Sequence, residues 1–488
     1  MQQGWTVLFF IYAEDDETKS YADALLTTLK QSKHNEQLTL LVFESQFEQL
    51  SGGRITGKLN LFEHNTATGR RREKLLHDFG EVNPGERSVL AAVLRHIKDN
   101  DLLREKFLLF TWDHGTGFGI FDGDPTKHTE EFKAMPPDHL LPNIFAEEVW
   151  ADRDELQDAR GSDIKVIANR RTRFLVQNQP AFESFEFNEL LDIKFKNTLT
   201  DKVEDDEVQI NMLTLTEINS ALKVLNMKTE LVIMVNCWMQ MLENGVELEE
   251  TTKWFVAAET VNFFAGFDYL KILGRIAQNP AVDGKELATV TVQTLPNVFN
   301  NPTWEKSIKE LVVSAVQPVV AGKVIKALDV VCESLAQALD NHLFNQIAAE
   351  RLGCLDLSKG YFLNEDGSID LTALIFCIDL LDYVARLAEK GLVTQESFRD
   401  LKAAIEEYRP FRFVGDNFKR SILTRSFLSD MGFPFFIPTW PTILRRSCST
   451  ISFMQASGLK WQRAAGANFY AAIKRIDRQL SILFIKTH

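Results

Sequence analysis

Three continuous apolar runs constrain this chain more than any other feature: Trp5–Tyr12 (WTVLFFIY), Phe107–Trp112 (FLLFTW) and Leu231–Val235 (LVIMV). Each is short, rich in β-branched and aromatic residues, and free of polar alternation, the pattern of a strand buried on both faces. Gln37–Glu44 (QLTLLVFE) reads as a further strand, and helical periodicity falls between the runs, at Tyr21–Lys30 and Ser88–Asp99. Strand and helix alternate, which predicts an α/β fold with a mostly parallel sheet flanked by helices. After Phe121 the pattern breaks, and residues 122–207 read as an insertion of scattered charge. Periodicity resumes in LTLTEINSALKVL, where Thr216 is expected to cap a helix. Beyond about residue 280 the chain reads as mainly helical, with a strand-like FPFFIPTW and a last helix near Ala464–Ser481. The expected division is residues 1–280 as one domain carrying the insertion and residues 281–488 as a mainly helical second domain.

Composition excludes several classes of function. The chain has 488 residues, 45% of them hydrophobic, enough for a large core. A net charge of −14 opposes binding to a phosphate backbone and favours a cationic partner, so no nucleic acid is expected. Five dispersed cysteines without a CxxC pair point to neither a disulfide framework nor a zinc site. The first apolar run lacks a basic flank and ends at an acidic cluster, which reads as a core strand rather than a signal peptide; no membrane span and a cytoplasmic location are expected.

Two of the apolar runs end in reactive residues. FLLFTW leads into Asp113-His114-Gly115, and LVIMV leads into Asn236-Cys237. Ligands of parallel sheets bind at the carboxyl ends of strands, so this arrangement brings an imidazole and a thiol to one edge. A thiolate stabilised by a neighbouring imidazole is a nucleophile, and the imidazole can then protonate a leaving amine. The backbone N–H groups of Gly115 and Cys237 are candidates for an oxyanion site. Taken singly, each residue also fits a structural role: a buried Cys behaves as a small hydrophobe. Gly52–Leu59 (GGRITGKL) imitates a phosphate loop, but Leu59 stands where the motif needs Ser or Thr, and the following LNLF reads as strand. The glycines of Gly115-Thr116-Gly117-Phe118-Gly119 have the wrong spacing for a dinucleotide loop.

The two strand ends resemble those of the clostripain-like cysteine peptidases, members of the caspase-like clan. The likeness rests on Trp112-Asp113-His114-Gly115 with further glycines, on Asn236-Cys237-Trp238-Met239 with Glu243, on Val256-Ala257-Ala258-Glu259, and on Gly266-Phe267-Asp268-Tyr269. Ile369-Asp370-Leu371 and Gly432–Pro438 are similar to C-terminal segments of the family. The resemblance implies a caspase-like α/β fold and a cysteine endopeptidase with His114 and Cys237 as catalytic residues and a protein or peptide as substrate. It implies that no cofactor is required for the chemistry, although some relatives use calcium. It also implies substrate contacts at Val235, Glu259 and Asp268.

The chain departs from the family pattern at Val235, where relatives carry the Asp of an acidic pocket that favours Arg or Lys. Asp268 is left either to supply that carboxylate or to serve as a turn residue. The separation of His114 and Cys237 is long because the insertion intervenes, and relatives can be activated by cleavage between the two. Arg160, Arg170, Arg171 and Arg173 mark a candidate self-cleavage region; the alternative is a surface arm that meets a regulatory partner or covers the site. A second reading of the whole chain, motivated by Val235 and Asn236, is a catalytically silent binding or scaffold protein.

Overall fold

The structure is a computed structural model that describes residues 2–13, 16–48, 54–65, 69–115, 119–121, 212–260, 262–300, 307–340 and 377–416, with short pieces at 164–168, 173–177, 346–347, 350 and 434–436. Most of the insertion, the family-like segments at 369–371 and 432–433, and the expected final helix at 464–481 lie outside the described residues.

Nine strands form one mixed sheet: β1 Gln2–Ala13, β2 Leu38–Glu48, β3 Arg54–Asn65, β4 Arg70–Glu81, β5 Arg104–Trp112, β6 Thr229–Val235, β7 Thr252–Ala258, β8 Val312–Val316 and β9 Phe411–Val414. Their spatial order is β9-β8-β7-β6-β5-β1-β2-β3-β4. The five central strands, β7-β6-β5-β1-β2, are all parallel. Antiparallel pairs extend the sheet at both ends. The flanking helices are α1 Asp16–Leu29, α2 Arg87–Asp99, α3 Leu215–Leu222, α4 Leu242–Glu247, α5 Tyr269–Gln278, α6 Gly284–Gln293, α7 Ala321–Asp340, α8 Leu380–Glu389 and α9 Gln395–Tyr408.

β1 explains why its sequence is uniformly apolar. Successive side chains of a strand point to opposite faces. Leu8, Phe10 and Tyr12 therefore join one core with α2, α3 and α7 to α9, while Trp5, Val7, Phe9 and Ile11 join a second core with α1, α5 and α6. Both faces are covered, as a parallel sheet requires. Stacked rings stitch neighbouring strands together: Phe9 on Phe110 at 4.3 Å and Phe10 on Phe43 at 4.7 Å between centroids. Each such buried side chain contributes roughly 1.5–3 kcal/mol of transfer free energy.

Two features differ from the sequence reading. A long hairpin, β3–β4, follows β2, and its outer strand RRREKLLHDFGE is mostly exposed and carries no apolar signature. The phosphate-loop lookalike lies partly in this hairpin: a Cβ on Gly57 would come within 2.8 Å of the Phe43 and Val82 side chains, so the glycine there serves close strand packing. The cap of α3 is Thr214 rather than Thr216. Its side chain accepts from the Glu217 backbone N–H while Glu217 accepts from the Thr214 N–H, a reciprocal capping box. The Thr216 hydroxyl instead donates to Glu247, at 3.2 Å.

Strands β8 and β9 come from beyond residue 280 and complete the same sheet, so the boundary drawn there from sequence runs through a shared sheet. Replacing Thr214 by Ala is expected to lower the unfolding free energy by about 1 kcal/mol. Urea unfolding at unchanged slope checks this. Thr216→Ala should lose less.

Candidate active site

Strands β5 and β6 pair in parallel with Val235 opposite Trp112, so both end at one edge of the sheet and the next residues of each emerge side by side. After Asp113 the chain forms a two-residue strand, His114–Gly115, that pairs with Gly119–Phe121; this in turn pairs with Met212–Thr214, the lead-in to α3. The glycine at 115 is dictated by proximity. A Cβ built there would lie 2.5 Å from the Cys237 carbonyl oxygen and 2.7 Å from the Cys237 nitrogen, closer than any real side chain tolerates. The main chains bearing His114 and Cys237 therefore touch.

Asn236 lies wholly buried between them. Its Nδ2 donates to the backbone oxygens of Asp113, at 2.8 Å, and His114, at 3.2 Å, and its Oδ1 accepts from the Thr111 hydroxyl at 2.7 Å. Cys237 carries a half-buried thiol, not a disulfide. Its Sγ sits 3.4 Å from both the nitrogen and the oxygen of Asn262. Beyond it the backbone turns sharply: Trp238 takes φ of 56°, the left-handed region that non-glycine residues rarely adopt. The turn is fixed by the Trp238 N–H donating to Thr260 and the Gln240 N–H donating to Ala258, both at 2.9 Å. The His114 ring stands nearly perpendicular to Phe264 at 5.3 Å between centroids, and Phe264 also contacts Trp112 and Tyr21.

The three residues expected to touch substrate have different surroundings. Val235 is a core side chain, 2% exposed, and would lie 3.1 Å from a Cβ at Gly266, whose φ of +63° lets the loop close over it. Asp268 caps α5 through a 3.0 Å hydrogen bond from the Lys271 N–H. It also lines a groove of about 480 Å³ between α1 and α5, together with Tyr21, Phe264, Phe267 and Leu270. Glu259 is fully buried; its carboxylate pairs with Arg412 of β9 and lies 3.7 Å from Arg409, in a cluster that includes Asp379. Burial at that level is stable only when charges are paired. Of the basic residues singled out in the insertion, Arg160, Arg170 and Arg171 lie outside the described residues, and Arg173 opens a strand, Arg173–Gln177, paired with Ile164–Ala168.

Sequence reasoning missed Asn236 as a structural contact, along with Asn262 and Phe264. An amide at the end of an apolar strand is the signal that could have found Asn236, because a buried group of that kind must find partners. The two thiols among the described side chains differ chemically. Burial, with Asp329 and Glu333 nearby, pushes the Cys332 thiol well above its usual range, whereas Cys237 is half-exposed. No group of His, Cys, Asp and Glu side chains among the described residues has the arrangement of a metal site, and no described helix is long and apolar enough to cross a membrane.

The model of the clostripain family matches residues 193–391, a segment shorter than half the chain that contains Cys237 but not His114. No curated protein sequence matches the chain. Among solved structures, a secreted C11 cysteine protease from Bacteroides thetaiotaomicron, in complex with an irreversible peptide inhibitor, aligns with a TM-score of 0.54 at 11% identity, covering 95% of this chain and 99% of that one. An inactive zymogen C11 protease from Parabacteroides distasonis aligns with a TM-score of 0.50 at 12% identity, over the same shares of the two chains. The expected cytoplasmic location is corrected by these neighbours, since the Bacteroides protein is described as secreted. The physical reason is that Trp5–Tyr12 is an inner strand of the sheet, and a core strand carries no information about export. By fold the chain is thus similar to C11 cysteine proteases, hydrolases whose clostripain family its residues 193–391 match.

Proposed function

We propose that this chain is a cysteine endopeptidase in which Cys237 is the nucleophile and His114 its acid/base partner. The observation that carries the reading is the contact of the two strand ends, with Gly115 against the Cys237 main chain and a half-buried thiol beside the imidazole-bearing segment. The Cys237 thiolate attacks the scissile carbonyl, and the developing oxyanion is met by backbone N–H groups at Gly115 and Cys237. The His114 imidazolium gives its proton to the leaving amine as the C–N bond breaks, which leaves a thioester on Cys237. His114 then takes a proton from water as the water attacks the thioester, releasing the acid and restoring the thiol. The chemistry draws on thiol and imidazole and requires no cofactor.

For specificity we propose Asp268 as the carboxylate that selects Arg or Lys at the cleaved bond. It lines the groove that Phe264 connects to His114, and a partly buried carboxylate pairs strongly with a guanidinium. Val235 is aliphatic and cannot contribute charge, and Glu259 is already held by Arg412. Activation by cleavage within residues 122–207 belongs to the same proposal, supported by a structural neighbour described as an inactive zymogen.

Labelling with a peptidyl acyloxymethyl ketone tests the reading. The wild-type chain should label, Cys237→Ala and His114→Ala should not, and equal labelling of all three sinks it. Absence of labelling in the wild type favours the scaffold alternative that Val235 motivates. Gly115→Ala, which must push the Cys237 main chain aside, is expected to lower kcat/KM by at least about 100-fold. At neutral pH, iodoacetamide followed by peptide mapping should modify Cys237 and spare Cys332, because a thiol with a raised pKa supplies little thiolate. Asp268→Ala should remove cleavage after Arg and Lys while leaving labelling by a probe with an apolar residue at that position. Intact mass should show two fragments for the wild type and one chain for Cys237→Ala if processing is autocatalytic; one intact chain in both removes that part.

A further inference from the structure

We infer that Asn236 is the positioning residue that sets how His114 stands relative to Cys237, an inference that rests on the peptidase reading above. A nucleophile and its proton acceptor gain rate only when held in a defined geometry. Here the two lie just beyond the last paired residues of different strands, Trp112 and Val235, so their fine placement depends on what bridges the strand ends. The Asn236 side chain crosses that gap. It is covalently one residue from the nucleophile, yet all its described hydrogen bonds go to the other strand end: to the Thr111 hydroxyl and to the carbonyls of Asp113 and His114.

The chemistry of these partners fixes the amide. Two backbone carbonyls can only accept, so both must face the NH2 group, and the Thr111 hydroxyl donates to the remaining oxygen. The Asp113 carbonyl belongs to the peptide unit that enters His114 and the His114 carbonyl to the unit that leaves it, so the two flank the His114 Cα. Both being drawn to one nitrogen sets the orientation of these two units, and with it the direction in which the His114 side chain leaves the backbone. Phe264 stands nearly perpendicular to the ring at 5.3 Å between centroids. The amide is fully buried, so water cannot replace the lost bonds at little penalty when it is removed. Neither alanine nor a carboxylate reproduces it. Alanine bonds to nothing, and a carboxylate of the same shape sets an oxygen against two carbonyl oxygens unless it carries a proton.

The test compares wild type, Asn236→Ala, Asn236→Asp and Thr111→Val in two readouts: hydrolysis of a fluorogenic peptide across pH, and the pH dependence of Cys237 alkylation by iodoacetamide, with thermal melting as the check of folding. For Asn236→Ala, kcat should fall about 100-fold with KM within about threefold, and the alkylation midpoint should move towards that of an unassisted thiol, near about 8.5. Asn236→Asp should work on the acid side only, because its carboxyl donates while protonated and repels both carbonyls once ionised. Thr111→Val keeps the shape and should lose less than Asn236→Ala. If Asn236→Ala does not fold, the acid-limited profile of Asn236→Asp and the loss in Thr111→Val remain decisive. Wild-type kcat and wild-type alkylation midpoints in folded variants overturn the inference. Should the wild type hydrolyse no peptide, the peptidase reading fails separately, and an alkylation midpoint common to wild type, Asn236→Ala and Thr111→Val still overturns the positioning role.

Discussion

The parallel pairing of β5 with β6 is the constraint on which the rest of this molecule depends. Parallel strands cannot be joined by a short turn, so the chain must travel far between them before returning alongside. That detour accommodates the insertion and α3. The pairing register, Val235 opposite Trp112, then decides which residues meet at the carboxyl edge. A slip of one residue would bring Cys237 rather than Asn236 opposite the Asp113 carbonyl and turn every side chain of β6 to the wrong face. The two faces are enforced by separate cores, so such a slip would expose apolar residues to neither core's advantage.

The central strands and the helices between them were legible in the sequence because burial on both faces leaves a strong signal. Runs such as LVIMV admit few other interpretations in a chain of this composition. The hairpin β3–β4 was not legible, because its outer strand is an exposed edge whose residues answer to water rather than to a core. Arg70, Arg72 and Lys74 on it are the kind of charge that keeps an edge from pairing with another molecule. The cap of α3 was misplaced by two residues because both Thr214 and Thr216 suit the role in isolation, and the reciprocal bond with Glu217 decides between them.

That His114, Gly115 and Cys237 come together was legible from their positions after apolar runs, since topology alone brings strand ends together. What holds those ends in register was not. Asn236 offers one amide in the sequence and three hydrogen bonds in the fold, and its partners are more than a hundred residues away. Glu259 was equally ambiguous. A carboxylate after a buried strand is compatible with either a substrate pocket or an internal ion pair, and only the arrival of Arg412 from a distant strand distinguishes them.

That same ion pair has a consequence for how the molecule can be divided. Glu259 sits one residue beyond β7, close to the turn that follows Cys237, while its counter-charge arrives on the outermost strand of the C-terminal half. A shortened chain ending near residue 280 would keep the carboxylate, lose both arginines and leave the β7 edge without the strand that pairs with it. Natural fragments produced by proteolysis between β7 and β9 would have to stay associated to remain folded. The strand ends around residue 237 are therefore tied, through Glu259, to a strand that enters the sheet far downstream in the chain.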